Sequence, residues 1–247
     1  MLVLVLLVTV QTAYAGEQIT LAVAADMKFA MDEIVALFGR SHPGGLVDTV
    51  YGSSGKFQTQ IRQGAPYDVY FSADSAYPIA LQKEGFVAGE VRPYALGRIV
   101  LWSQSHKLNR LSDLADPAIR RIAIANPKHA PYGKCAEEAL RAAGIWDKVR
   151  DRMVYGEDIA QTAQFVQSGN ADVGIIALSL AKRVALSGSG GYVLIPDTLH
   201  QPLVQAYVIT RRAANNQLAQ EFSRFMASPE VRVIMIRNGF ALLNEAR

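Results

Sequence analysis

The chain has 247 residues, 50% of them hydrophobic and 19% charged, with a formal net charge of +3. That is an ordinary globular composition, with material for a large core or for two lobes. The small charge and the lack of a Lys/Arg run or an aromatic–basic stripe leave a nucleic-acid-binding role without support.

Residues 1–15 are apolar and end in Ala13-Tyr14-Ala15, an A-x-A cleavage pattern, before polar Gly16-Glu17-Gln18. The run is too short to span a bilayer. It lacks the usual basic residue near its start, and no Cys stands at the cleavage point to carry a lipid. The expectation is an exported, soluble protein whose mature chain begins near Gly16. Cys135 is the only cysteine, so no internal disulfide can form. It lies in an Ala/Glu/Leu-rich helical pattern, which suits a packed helix residue better than a nucleophile.

In chain order, Ile19 to Ala24 is a short apolar run without helical spacing, read as a buried strand. Asp26 is a natural N-cap for a helix from Met27 to Arg40, with Ala30, Ile34, Leu37 and Phe38 on one face. After His42-Pro43-Gly44-Gly45 come a strand, Leu46 to Tyr51, a turn, Gly52-Ser53-Ser54-Gly55, and a short helix, Lys56 to Arg62. Tyr67 to Phe71 is strand-like, and Ser72-Ala73-Asp74 caps a helix reaching about Glu84. Repeated strand–helix alternation implies a parallel sheet covered by helices. Gly97 to Trp102 is a further apolar run, and a second alternating series follows it. Its strands are Arg121 to Ala125, Met153 to Tyr155, Val173 to Ala177 and Tyr192 to Ile195. Its helices are Lys134 to Ala143, Ile159 to Ser168 and Leu178 to Leu186. Leu203 to Ile209 reads as a last strand, and Gln217 to Met226 and Pro229 to Ile236 as two closing helices. The pattern is two α/β lobes.

Four strand-to-helix junctions look alike: Ala25-Asp26-Met27, Ser53-Ser54-Gly55, Ala130-Pro131-Tyr132-Gly133 and Glu157-Asp158-Ile159. The first N–H groups of a helix have no partner inside it and carry partial positive charge. In open parallel sheets ligands sit beyond the carboxyl ends of the strands. Two such lobes face to face would aim several helix starts into one cleft, a geometry suited to a small oxyanion held by neutral donors. No P-loop, G-x-G-x-x-G, H-E-x-x-H or G-x-S-x-G occurs, and the four histidines lack metal-ligand spacing. No metal site, cofactor or enzyme activity is expected; the alternative, a small hydrolase with Ser54 as nucleophile, lacks an evident base.

At these junctions the chain resembles the periplasmic molybdate-binding proteins of ABC transporters. The markers are Val23-Ala24-Ala25-Asp26, Gly52-Ser53-Ser54, Gly64-Ala65-Pro66, Phe71-Ser72-Ala73-Asp74, Asn126 to Gly133, Gly156-Glu157-Asp158, Gly174-Ile175-Ile176 and Asn238-Gly239-Phe240. The resemblance implies a type II periplasmic binding protein: two mostly parallel sheets flanked by helices, with the ligand between the lobes. It implies a signal peptide over 1–15, one lobe from 16–97 with 202–247, and the other from 98–201. The implied ligand is molybdate or tungstate, with sulfate, chromate or hydrogen phosphate as alternatives. The implied partner is the permease of an ABC transporter, and the implied state a monomer. Family positions fall on the Ser54 hydroxyl beside Ser53 and on the backbone donors of Tyr132 and Ile159. The first-junction donor, commonly Ser or a Thr/Asn pair, falls on Asp26, and a tyrosine used by some members is replaced by Ala177 or Leu178.

Asp26 is the departure, because a carboxylate repels a dianion. Three readings stand open. Asp26 caps its helix and offers only its backbone N–H; Lys28 neutralises it; or its carboxylate accepts a proton from a protonated ligand. The first is the expectation, with Lys28 screening part of the charge.

Overall fold

The computed structural model describes residues 18–186 and 190–243. The expected signal peptide and residues 187–189, between α-helical and strand segments of the second series, lie outside the described residues.

The first sheet contains β1 (Gln18–Ala24), β2 (Leu46–Gly52), β3 (Val69–Ser72), β4 (Val87–Gly97) and β10 (Leu203–Thr210), in the order β2-β1-β3-β10-β4. β1 pairs in parallel with β2 and β3, and β10 runs antiparallel to β3 and β4. Side chains alternate across this sheet as strand geometry requires. Ile19, Leu21, Val23, Val69 and Phe71 face α1 (Lys28–Ser41), α8 (Gln217–Phe225) and α9 (Pro229–Arg237). Ala22, Tyr70 and Val208 face the opposite layer, where α2 (Ser54–Arg62) and α3 (Ala76–Lys83) contribute Phe57, Ile61 and Leu81. A sheet covered on both faces needs apolar side chains in both directions, which is why its inner strands read as continuous apolar runs.

The second sheet contains β5 (Ile99–Ser103), β6 (Ile122–Ala125), β7 (Met153–Gly156), β8 (Val173–Ala177) and β9 (Gly191–Leu194), in the order β7-β6-β8-β5-β9. β6 is parallel to β7 and β8, and β5 is antiparallel to β8 and β9. Its helices are α4 (Pro131–Ala142), α5 (Trp146–Val149), α6 (Ile159–Gln167) and α7 (Leu178–Leu186). Each sheet therefore has four strands in one direction and one reversed. Only Arg98 separates β4 from β5, and residues 195–202 lead from β9 back to β10.

Two elements escape the sequence reading. β4 carries Gly89, Glu90, Arg92 and Pro93, which break alternation, and its pairing with β10 shifts register twice. Pro93 is tolerated because β4 is an edge strand, whose outer side meets only a single bridge, Leu96 to Ala241, among the described residues. α5 is a single turn, too short to show a period.

Candidate functional site

The carboxyl ends of β1, β2, β6 and β7 bring their junctions together at the seam between the lobes. A small cavity there is lined by Asp26, Ser53, Ser54, Tyr132, Asp158 and Ile159, with Ala24, Ala25, Ala73 and Ala130 as its close walls. The structure thus brings five of the six expected residues to one place. No Lys, Arg or His lines the cavity among the described residues.

Each helix start is built so that its donors stay available. In α2, Ser53 is the N-cap and its carbonyl takes the first helical bond, from Phe57 N at 3.1 Å. Tyr70 pins that turn by donating its hydroxyl to the Ser54 carbonyl at 2.7 Å. The Ser54 hydroxyl oxygen accepts the Ala73 amide at 3.0 Å, which leaves its own proton free to donate. In α4 the first residue is Pro131, which fits a position where no N–H is needed, and Tyr132 follows. In α6, Asp158 is the N-cap: its Oδ1 accepts the Gln161 amide at 2.9 Å, so Ile159 stands at the first helical position. Its amide has no partner within the helix.

Asp26 departs from the expected cap. It lies in a 3-10 turn (Ala25–Met27) before α1, and its side chain caps neither element. It crosses the seam instead. Its Oδ2 accepts the Tyr132 hydroxyl at 2.8 Å and the Gln205 side-chain amide at 2.6 Å. Gln205 also donates to the Tyr132 oxygen at 3.0 Å and accepts the Tyr94 hydroxyl at 2.7 Å. Ser179, on α7, donates to the Asp26 carbonyl at 2.8 Å. Asp26 is 1% exposed, and its Oδ1 has no hydrogen-bond partner among the described residues. Burial pushes its carboxyl up to about 6, against the opposing pull of the bonds from Gln205 and Tyr132 and the weaker pull of the Asp26 and Met27 backbone amides.

Lys28 does not screen that charge. Its ammonium pairs with Asp32 at 3.1 Å, lies 4.6 Å from the centre of the Tyr51 ring and is half exposed. It lines a separate groove with Phe29, Gln161 and Arg183. The reason is local: Asp32 is one helical turn away, an ideal i,i+4 distance.

Ser53 and Ser54 have different jobs. The Ser53 hydroxyl lies 2.5 Å from the His129 carbonyl, to which it donates, and 3.0 Å from His129 Nδ1. The Gly55 amide donates to the same carbonyl at 2.9 Å, and Lys56 pairs with Glu157 across the same seam. His129 Nε2 lies 3.9 Å from Glu157, so Ser53, His129 and Glu157 form a row with the composition of a hydrolase triad. The chemistry does not follow. The Ser53 proton is committed to a backbone carbonyl, Glu157 is engaged by Lys56, and Ser54, the serine with a free proton, touches no base.

Sequence reasoning missed Gln205, Tyr94, Ser179 and the seam role of His129. Gln205 could have been found: it is the one amide in an apolar strand, and a buried amide must be hydrogen-bonded. Cys135 is buried in α4, and burial pushes its thiol up to about 12, away from reactive thiolate.

Two lobes meeting around helix starts, with a cavity shared between them, define a two-lobe solute-binding protein. The chain belongs to the bacterial extracellular solute-binding protein family, whose model matches residues 19–241. The molybdate-binding protein ModA of Azotobacter vinelandii is 36% identical over 236 residues, covering 93% of this chain and 92% of that protein. ModA of Rhodobacter capsulatus is 35% identical over 230 residues, 92% of this chain and 89% of that one. The solved periplasmic molybdate-binding protein of A. vinelandii superposes with a TM-score of 0.85 at 33% identity, covering 91% of this chain and 99% of its own.

Proposed function

We propose that the protein is a periplasmic receptor that captures molybdate or tungstate between its lobes and delivers it to the permease of an ABC transporter. The observation that carries this is the convergence of four helix or turn starts from both lobes on one small cavity that no cation lines among the described residues. Neutral donors and helix dipoles suit a tetrahedral dianion that must be released again. The names of the two similar ModA proteins support the choice of anion. In this reading residues 16–97 with 202–247 form one lobe and 98–201 the other. The lobes move as a monomer about crossings near Gly97-Arg98-Ile99 and Gln201-Pro202-Leu203. No step requires a cofactor, and the bound anion leaves unchanged.

Calorimetry with molybdate, tungstate, sulfate, chromate and phosphate tests this directly. Molybdate and tungstate should bind tightest and be recovered intact by native mass spectrometry; a chain that binds none of the five anions would reject the reading. X-ray scattering should show a smaller radius of gyration at saturating molybdate, and superimposable curves would argue against closure. Ser54→Ala should weaken molybdate by about 1–3 kcal/mol, because it removes a donor to a charged ligand and strands the Ala73 amide. Unaltered affinity would place the anion elsewhere.

A further inference from the structure

Asp26 is the fully buried carboxyl group on the cavity lining, its charge opposes a bound anion, and no cation pairs with it among the described residues. The groups that face it are these. Tyr132 on α4 and Gln205 on β10 bond its Oδ2, and Tyr94 on β4 stands behind Gln205. Ser179 on α7 bonds its carbonyl. Ser54 on α2 and Asp158 at the start of α6 line the same cavity, Asp158 with its carboxylate turned to the Gln161 amide. On its own element Lys28 is turned away to Asp32, and His129 is held at Ser53 and Glu157.

We propose that Asp26 holds the anion as a neutral carboxylic acid, donating from Oδ1, so that capture of a doubly charged oxyanion takes up one proton from solvent. The inference rests on the oxyanion reading above and adds to it the residue that makes capture proton-dependent. Oδ2 already accepts two hydrogen bonds, so the acid proton belongs on Oδ1, the buried oxygen that is left without a partner. As an acid, Oδ1 supplies the donor that a hydroxyl would supply at this junction. As a carboxylate it would be a buried, half-satisfied charge beside a dianion. Burial already lifts the Asp26 carboxyl to about 6 in this closed arrangement, and a dianion in the cavity pushes it further the same way. Tyr132 and Tyr94 are held well above the usual phenol range by burial and by the Asp26 charge, so both stay neutral donors.

The sign follows from linkage. A raised carboxyl binds its proton more tightly in the closed, loaded state than in the free one. Above the free-state value the free protein is a carboxylate, and loading consumes a proton. Affinity therefore falls as pH rises, approaching tenfold per pH unit where one full proton is taken up.

The test is calorimetry of the full chain with molybdate and with tungstate. Titrations in buffers of different ionisation enthalpy at about pH 7.5, and across roughly pH 6.5–8.5, count the protons bound. The wild type should take up close to one proton per anion, with affinity falling across the range. Asp26→Asn keeps the shape and carries a permanent donor, so it should bind with no proton uptake and a flat profile. At the alkaline end it should bind about a hundredfold or more tighter than the wild type. Wild-type binding without proton uptake would overturn this inference alone and leave the receptor reading in place. Loss of affinity in Asp26→Asn that keeps its thermal stability would show the carboxylate accepting a proton from the ligand, and would overturn it too. A wild type that binds no tetrahedral anion would overturn both. The proton count of the wild type decides the matter even if the variant fails to fold.

Discussion

Gly55→Ala is expected to leave the unliganded protein as stable as before, or more so, and to remove much of its anion affinity. Gly55 sits at the second position of α2, where its amide donates across the seam to the His129 carbonyl at 2.9 Å. A Cβ there would lie 2.7 Å from that carbonyl oxygen and 3.0 Å from the His129 Cα and Cβ. Two of these three atoms are backbone, so one lobe must give way. With the lobes apart the methyl group meets none of them. The backbone of Gly55 is not in the left-handed region, so alanine is free of strain and favours the helix by about 1 kcal/mol. The cost appears only on closure, at about 1–3 kcal/mol, roughly 5- to 150-fold in affinity. Thermal denaturation of the free protein and calorimetry with molybdate measure the two halves. Equal affinity would show that the seam yields without disturbing the donors at Ser54 and Ile159.

Gly133→Ala should behave in the opposite way, with stability failing first. Gly133 is the third residue of α4, and a Cβ on it would lie 1.9 Å from the Ala125 carbonyl oxygen and 2.5 Å from the Ala125 carbonyl carbon. Both belong to the end of β6, and Pro127 N follows at 3.0 Å. No side chain can swing aside, so the start of α4 must lift off the second sheet. Overpacking of this severity costs about 3 kcal/mol or more. For a protein of this size that is a fall in Tm of about 6–12 °C. Tyr132 travels with the helix and loses its hydroxyl bond to Asp26, so affinity should fall as well. An unchanged Tm would mean that α4 packs less tightly on β6 than these distances show.

The junctions were legible because their signals are local. Asp158 caps the helix that begins one residue later, and its bond spans three residues. The bounds of β8 and α7 follow a clean change from an apolar run to helical spacing, and both match the reading from the sequence. The direction of Asp26 was not legible for the converse reason. Its partners Tyr132 and Gln205 lie 106 and 179 residues away, so the local signal, Asp before a helix, pointed to a cap. Tertiary bonds to a buried carboxylate won over a cap available a residue or two away. Lys28 shows the same competition resolved locally, since Asp32 reached it first. β4 was lost because Gly89 and Pro93 punctuate a strand held chiefly by β10, more than 100 residues further on.

The place of β10 sets the order in which the molecule can be finished. The second sheet is drawn from one unbroken stretch, β5 to β9, and can close by itself. In the first sheet β10 lies between β3 and β4, and it comes from beyond that stretch. Until Leu203–Thr210 emerges, β3 and β4 both present open edges with unpaired backbone groups. The lobe that starts first is therefore completed last. The strand that completes it also carries Gln205, so the sheet and the grip on Asp26 and Tyr132 mature in the same event. A chain interrupted before Leu203 would hold a finished second sheet beside a first sheet with a strand-wide gap, and its Asp26 and Tyr132 would lack their Gln205 partner.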